Sequence, residues 1–406
     1  MTLPTANAAA ATLLPQQPIP LQQVPPPVRL DVQFNVPQTF RIRFTRKLLT
    51  DDLHELVDLL MADPQAPAPQ LLAVVDQSVV DARPDLPEGL HRLAQTLQRE
   101  LPIPMVVLPA GEQAKQQLDH VLPLLEQIHR FALDRHSYLI AFGGGAVLDA
   151  AGLAANLAHR GVRLIRVPTT TLAQADSAVG VKNAVNFHNQ KNWLGSFAVP
   201  HASIHDADLL RTLPDRDFLA GFAEAVKVAL LKDPELLQQI RRSVDAIRNR
   251  DHEVCTHILQ RSALLHLDHI TRGNDPFEST QARPLDFGHW LAHRLETLSG
   301  YTLRHGEAVA IGLACDLQLS TRLTGLPGDV ARDAIDLLRE LQLPTACAPG
   351  LHSLRDLVVG VEQFRQHLGG RLCITLLRDI GQPVQCHALP ESDLSHVLRT
   401  IHQSTS

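Results

Sequence analysis

Disulfide chemistry is the first thing this sequence lacks. Its five cysteines (Cys255, Cys315, Cys347, Cys373, Cys386) are scattered, odd in number and form no CxxC pair. That argues against a disulfide framework or a thiolate zinc site, and for a reducing, cytoplasmic compartment. No apolar run approaches the roughly 18 residues that a membrane helix needs. A basic excess is missing too: the formal net charge is −6, which offers nothing to nucleic acid or to an anionic membrane surface. Charge is absent altogether from Met1 to Pro27, an Ala-, Pro- and Gln-rich stretch. Without a basic n-region it is a poor signal peptide, and its prolines forbid a regular helix. Residues 1–31 therefore read as a disordered tail.

What remains is a long globular chain. With 406 residues, 45% hydrophobic and 20% charged, it is too large for one small core, so two domains are expected. Alternating apolar residues from Val32 to Leu49 predict a strand pair. Buried strands are predicted at Leu71–Asp76, Pro104–Leu108, Tyr138–Phe142 and Leu164–Pro168, with helical spacing between them, as from Gln113 to Phe131. Strands alternating with helices predict parallel pairing, and so a doubly wound, Rossmann-like α/β domain over 32–210. Beyond Thr212 the pattern turns helical: Phe218–Leu231, Pro234–Arg248, His252–Ile270, Gly288–Leu298, Glu307–Leu323 and Asp329–Leu341. Only Arg371–Leu377 reads as extended there, so 211–406 is expected to be a mainly α-helical domain, with the active site in the cleft between the two.

Several clusters carry chemistry. Gly143-Gly144-Gly145 directly follows a predicted strand and opens a predicted helix, the geometry in which backbone N–H groups and a helix N-terminus cradle a phosphate. Its spacing is not GxGxxG, and a tight turn explains a bare triplet equally well. The block from Pro168 through Asp176 and Lys182 to Asn186, then Lys191-Asn192, is dense in groups that suit a polyhydroxylated, phosphorylated ligand, where a solvated loop is the plainer account. Glu224 and Lys227 have the spacing of a surface ion pair. With His289 and His305, however, Glu224 completes a Glu-His-His set that suits Zn²⁺. His289 and His293 lie one helical turn apart and form an HxxxH pair by themselves, and His305 also fits a helix cap.

Taken in order, these motifs resemble the sugar phosphate cyclases of the dehydroquinate synthase superfamily, over roughly residues 38 to 385. The matching positions are Gly111-Glu112 with Lys115, Gly143-Gly144-Gly145 with Asp149, His159-Arg160-Gly161, Pro168-Thr169-Thr170 through Lys182, and Lys191-Asn192. Gly221 through Glu224 to Lys227, Asp286 to His289, and His305-Gly306-Glu307 complete the series. The resemblance implies an NAD-dependent metalloenzyme that closes a carbocycle from a phosphorylated sugar: oxidation of one alcohol, loss of phosphate by β-elimination, return of the hydride, ring opening and intramolecular aldol addition. It implies Zn²⁺, with Co²⁺ as an alternative, on Glu224, His289 and His305. It further implies NAD on Glu112, Lys115, Gly144, Gly145, Asp149, Thr169, Thr170, Lys191 and Thr212. Asp176, Lys182, Asn192 and Lys227 would face the substrate, and Arg160 would reach phosphate from a neighbouring subunit, which implies a homodimer.

Departures from the dehydroquinate synthase pattern bear on the substrate. Asp286 stands where that enzyme has Asn, and Ala282 where it has an Arg that helps to grip the substrate carboxylate; Arg283, followed by Pro284, points elsewhere. Lysine is missing after Lys232: Arg261 stands at the place of one expected lysine, and Arg365 is nearest to the other. A planar guanidinium does not replace a point charge neutrally. These features resemble the EboD-like and 2-epi-5-epi-valiolone synthase-like branch, which implies a neutral ketose phosphate such as sedoheptulose 7-phosphate. His293 instead matches dehydroquinate synthases, whose substrate is 3-deoxy-arabino-heptulosonate 7-phosphate. The competing class is a metal-dependent polyol dehydrogenase of glycerol dehydrogenase type, against which the polar block from Asp176 to Lys191 and Lys227 argue.

Overall fold

The aliphatic runs of the first half of the chain pair in parallel, because strands flanked by helices are buried on both faces. In this computed structural model the described residues are 31–61, 69–188, 190–273, 277, 284–348 and 353–403. The proposed tail up to residue 30, and Ala282 and Arg283, lie outside them. The main sheet is formed by β1 (Arg41–Thr45), β2 (Leu71–Asp76), β3 (Met105–Leu108), β4 (Tyr138–Gly143), β5 (Arg163–Pro168) and β8 (Ala202–Asp206). Two antiparallel pairs accompany it: β6 (Lys182–Phe187) with β7 (Gln190–Phe197), and β9 (Ile374–Asp379) with β10 (Gln382–Cys386).

Among the described residues, the helices of the first half are α1 (Leu53–Leu60), α2 (Gln77–Ala82), α3 (Leu86–Thr96), α4 (Val121–Arg130) and α5 (Gly145–Leu157). The second half adds α6 (Asp215–Ala220), α7 (Phe222–Lys232), α8 (Pro234–Arg242), α9 (Val244–Arg248) and α10 (His252–Arg272). It continues with α11 (His289–Leu298), α12 (His305–Leu323), α13 (Gly328–Glu340), α14 (Leu354–His367) and α15 (Glu391–Gln403).

The strand order is β1-β8-β5-β4-β2-β3, all neighbours parallel. Side chains alternate across it with a period of two. Leu71, Ala73, Val75, Tyr138, Ile140 and Phe142 enter the core shared with α1 and α3, whereas Leu72, Val74, Leu139 and Ala141 enter the one shared with α4 and α5. From β2 the chain adds β3 on one side and β4 on the other, so the order reverses between β2 and β4. Ligands of open α/β sheets bind at such a switch point, outside the carboxyl ends of the strands.

The structure corrects several boundaries. The expected strand pair over Val32–Leu49 is one strand, β1, which pairs with β8. The helix expected from Gln113 starts at Val121, and Gly111–Lys115 is instead a 3₁₀ turn. The helix expected over Phe218–Leu231 breaks at Gly221, where a Cβ would lie 2.2 Å from Thr171 Oγ1. That close approach presses the 168–176 loop against the start of α7. At Gly312, on α12, a Cβ would lie 1.9 Å from the Gly288 carbonyl oxygen, so the missing side chain lets the turn before α11 dock on α12.

Candidate active site

Helix α7 is buried from Phe222 to Leu231, so Glu224 and Lys227 cannot form the solvated pair that their spacing allows. Glu224 is 0% and Lys227 1% exposed, with Lys227 Nζ 2.5 Å from Glu224 Oε2. Burying such ions is costly unless each is compensated. Burial alone would depress the Lys227 ammonium, but Glu224, Asp176 and Asp286 around it raise its pKa above the usual lysine value.

Both Glu224 oxygens are buried; Oε2 has the Lys227 ammonium beside it, and Oε1 faces imidazoles alone. Two imidazoles face it: His289 Nε2, from the start of α11, and His305 Nε2, from the start of α12, each at 3.5 Å. Ligand atoms from all three residues lie within 4.8 Å of one another. Each ring is oriented from behind, with His289 Nδ1 3.2 Å from the Phe287 carbonyl and His305 Nδ1 3.0 Å from Glu296 Oε2. An imidazole that donates through Nδ1 offers the Nε2 lone pair, as metal-ligating histidines do. A buried carboxylate oxygen facing two imidazole Nε2 atoms suits a divalent cation, whose binding would displace the proton that His305 carries without it. Burial, then the Lys227, His305 and His293 charges, hold His289 well below the usual imidazole range. Burial would lower His305 as well, but Glu296 outweighs it and raises His305 to about 9.

His293 lies beside both metal-candidate histidines. Its ring stands edge-on to His289 and stacks beside His305, in a second potential metal group made of His293, Glu296 and His305. His305 is the first residue of α12, whose cap is Arg304, so the capping role falls to its neighbour.

Asp176 lies in a π-helical turn, Ala173–Ser177, with Oδ1 3.9 Å from Lys227 Nζ and 3.1 Å from His266 Nδ1. Burial alone would raise its pKa; Lys227 and His266 overcome this and hold the carboxyl well below the usual range. The loop from Asp176 to Lys182 is organised by Arg166, a fully buried residue of β5. Its guanidinium donates to the carbonyls of Ser177, Gly180 and Lys182 and to Asn183 Oδ1. Lys182 itself opens β6 and is exposed.

The glycine triplet occupies the carboxyl end of β4, at the switch point. Gly145 begins α5, and a Cβ there would come within 2.8 Å of Ser177 Oγ; one on Gly144 would meet Thr170 at 3.2 Å. Asp76, at the end of β2, receives backbone N–H groups from Gly111 and Gly144 and so ties the two glycine turns together. A turn without side chains, opening a 13-residue helix beside an acid at the neighbouring strand end, fits a dinucleotide. Thr169 continues this wall by donating its backbone N–H to the Gly143 carbonyl.

Lys115 joins Asp149 at 2.6 Å and Asn192 at 2.5 Å, and Glu112 accepts from Asn186 at 2.8 Å. These contacts connect the 3₁₀ turn, α5 and the β6–β7 pair. Lys191 is directed to Glu296 on α11, so β7 also reaches the helical half.

Comparison with known proteins agrees with this geometry. Residues 105–220 match the model of the 3-dehydroquinate synthase N-terminal domain, and 221–363 that of its C-terminal domain. A 3-dehydroquinate synthase of Azotobacter vinelandii is 38% identical over 323 residues, covering 78% of this chain and 86% of that protein. The chain belongs to the 3-dehydroquinate synthase family. It is thus an enzyme of the sugar phosphate cyclase superfamily. A solved 2-epi-5-epi-valiolone synthase of Streptomyces hygroscopicus subsp. jinggangensis, with NAD⁺ and Zn²⁺ bound, superposes with a TM-score of 0.80 at 26% identity, covering 92% of this chain and 99% of that one. A probable glycerol dehydrogenase of Sinorhizobium meliloti shares the fold, with a TM-score of 0.59 at 15% identity over 89% of this chain and 96% of that one.

Several residues expected at the site are engaged elsewhere or exposed. Arg261 is not directed at Asp176: its guanidinium holds Asp233 at 2.8 and 3.0 Å and Glu235 at 3.0 Å, at the junction of α7 and α8. From the same helix, α10, it is His266 that faces Asp176. Five residues advance a helix by about 140° from its starting direction, so the two side chains leave α10 on different faces. Arg365 is committed to Glu362 and the Gly370 carbonyl, on the exposed side of α14. Thr212 is exposed in the link between β8 and α6.

Arg160 is exposed too, and lies in a strained turn: His159, Arg160 and Gly161 all have positive φ (52°, 62° and 129°). Two successive non-glycine residues in that region cost on the order of 1–3 kcal/mol each. Hydrogen bonds from Gly161 N–H to the Ala158 carbonyl and from Val162 N–H to the Ala155 carbonyl hold the turn.

Asp76, Arg166, His266 and Glu296 were not anticipated as site residues. Each carries a signal in the sequence: an acid ending a buried strand, a lone arginine inside an aliphatic strand, a histidine mid-helix, and a glutamate two turns after His289.

Proposed function

We propose that this protein is an NAD- and Zn²⁺-dependent sugar phosphate cyclase whose substrate is a neutral ketose phosphate, sedoheptulose 7-phosphate being the first to test. The observation that carries the catalytic part is the buried Glu224 Oε1 facing two rear-oriented imidazoles, beside a buried Lys227 that is 3.9 Å from the half-buried Asp176. Glu224, His289 and His305 would hold the metal, and the cradle at Gly144, Gly145, Thr169 and Thr170, with Asp76, would take NAD. When bound, the two groups supply reversible oxidation of a secondary alcohol and Lewis-acid stabilisation of the oxygen where charge develops.

The chain's own residues do the rest. Lys227, held protonated by its carboxylate neighbours, orients a substrate oxygen and stabilises negative charge on it. Asp176 and His266 accept and donate hydrogen bonds to the sugar hydroxyls. Asn192 and Lys182, on the β6–β7 pair, would face the substrate, and Arg160 of a second subunit would meet the phosphate, which makes a homodimer part of the proposal.

The substrate assignment rests on charge. Asp286, in the turn before α11, and Asp176 both act electrostatically on Lys227. The cation expected from Arg261 is spent on Asp233 and Glu235. A substrate carboxylate would therefore enter a wall already rich in carboxylates, whereas a hydroxymethyl ketone would not. The second reading, 3-dehydroquinate synthase acting on 3-deoxy-arabino-heptulosonate 7-phosphate, draws support from the 38% identity to the Azotobacter enzyme.

The deciding experiment incubates the protein with NAD⁺, Zn²⁺ or Co²⁺ and a panel of sugar phosphates, measuring phosphate release and absorbance of NADH. Phosphate release from sedoheptulose 7-phosphate without accumulating NADH is the expected result. Release from the heptulosonate alone would replace the substrate assignment with the second reading, and steady NADH accumulation would make the protein a dehydrogenase. Glu224→Ala is expected to lose both metal and turnover.

A further inference from the structure

The metal reading above leaves unexplained a buried carboxylate behind it. Glu296 is 3% exposed in its side chain, yet both of its oxygens are engaged: Oε1 with Lys191 Nζ from β7, and Oε2 with His305 Nδ1 at 3.0 Å. We propose that Glu296 is the positioning residue of the metal centre, holding His305 with Nδ1 as donor and Nε2 directed at Glu224, with Lys191 as its counter-charge. The inference rests on the assignment of Glu224, His289 and His305 to the metal.

Helix geometry explains why Glu296 can do this. His289, His293 and Glu296 occupy positions i, i+4 and i+7 of α11 and so share one face, which packs against the start of α12. His289 is oriented by the main chain, through the Phe287 carbonyl. His305 begins its helix, and among the described residues it is Glu296, from the neighbouring helix, that lies behind its Nδ1. A carboxylate behind a ligating imidazole fixes its tautomer and raises its basicity.

The alternative is that Glu296 is itself a ligand, in the group formed with His293 and His305. Glu296 Oε1 is held by the Lys191 ammonium and Oε2 lies behind His305 at Nδ1, whereas Glu224 Oε1 faces only the Nε2 atoms of His289 and His305, the side open to a metal. That atom marks where the cation belongs. Lys191 then has two tasks: it lies beside the Lys115–Asn192 contact on the cofactor side, and it balances the charge behind the metal.

The test is Co²⁺ affinity by chelator competition, with the visible ligand-field spectrum read at saturation. Glu296→Gln is expected to bind Co²⁺ roughly 10- to 100-fold more weakly while keeping the wild-type spectrum, because the ligands are unchanged. Since the single variant leaves Lys191 buried without its partner and can fail to fold, the double variant Glu296→Gln with Lys191→Met removes both charges; the same weakening is expected. Unchanged affinity in both variants overturns the proposal. So does an altered spectrum in Glu296→Gln accompanied by equal loss of binding in His293→Ala, which would make Glu296 a ligand. Failure of the underlying reading shows itself separately, as wild-type Co²⁺ affinity in Glu224→Ala.

Discussion

The two halves of this site are built in opposite ways. On the sheet side the groups sit at the ends of elements: Asp76 closes β2, Gly143 to Gly145 follow β4, and Thr169 and Thr170 follow β5. Strand ends in a parallel sheet converge on one edge by topology alone, so the cradle needs few charges and little side-chain placement. On the helical side the groups ride on helix faces and starts, from α7, α10, α11 and α12, and meet only because those helices pack. There the site is a set of buried ions that balance one another: Lys227 against Glu224 and Asp176, and Lys191 against Glu296. An edge site tolerates error in packing; a face site depends on its compensation.

The largest expected effect tests that dependence. Lys227→Met leaves Glu224 as an uncompensated buried charge, and the metal-free protein is expected to lose about 3–5 kcal/mol of stability. Added Zn²⁺ should restore much of it. Equal melting of variant and wild type without metal would mean that the pair is not a structural requirement.

The sheet side should break by shape instead. Gly145→Val places carbons against Ser177, which already lies 2.8 Å from a built Cβ. Overpacking of this kind costs about 1–3 kcal/mol. A loss of NAD⁺ affinity larger than the loss of stability is expected, read by fluorescence titration alongside thermal melts. Unaltered NAD⁺ affinity would remove the cradle from the cofactor site.

The sheet half also contributes an acid sensitivity. His205 on β8 is buried, bonded to Ser203 Oγ at 2.9 Å, and burial lowers its pKa from 6.5 to about 3. Between these values the unfolded chain takes a proton that the folded one refuses. Stability is therefore full above about pH 6.5 and falls as pH drops towards 3, by about 2 kcal/mol at pH 5. His205→Gln should flatten that part of the profile in melts from pH 7 to pH 4; an unchanged slope would place the sensitivity elsewhere.

Two smaller effects separate the faces of α10. His266→Ala removes one hydrogen bond near Asp176 and is expected to raise KM for the ketose phosphate by a factor corresponding to about 1 kcal/mol. Arg261→Ala, on the other face, should leave KM unchanged and affect only melting. A KM change with Arg261 and none with His266 would reverse the assignment made from the structure.

The contrast between edge and face also explains what could be read in advance. The glycine triplet was legible because its neighbours in sequence, a buried strand and a helix, are its neighbours in space. The strand pair over Val32–Leu49 was misread because alternation does not say whether a face will be covered; only β1 finds a partner, β8. The β6–β7 pair, β8, α14 and α15 escaped notice because polar or mixed segments form strands and helices here through tertiary contacts. Arg261 takes its expected role from linear position alone, which does not distinguish the faces of a helix; on α10 it is His266 that faces Asp176.

The sequence by itself determined the alternation of strands and helices, the glycine turn, the family resemblance and the Glu224, His289 and His305 set. These follow from local periodicity and from residue types that few other sites combine. Only the tertiary structure decided that Glu224 and Lys227 are buried rather than solvated, that His266 rather than Arg261 faces Asp176, and that Glu296 stands behind His305. Each of these depends on which face of a helix is covered and by what. That is settled by packing between segments up to about a hundred residues apart, as between Lys191 and Glu296.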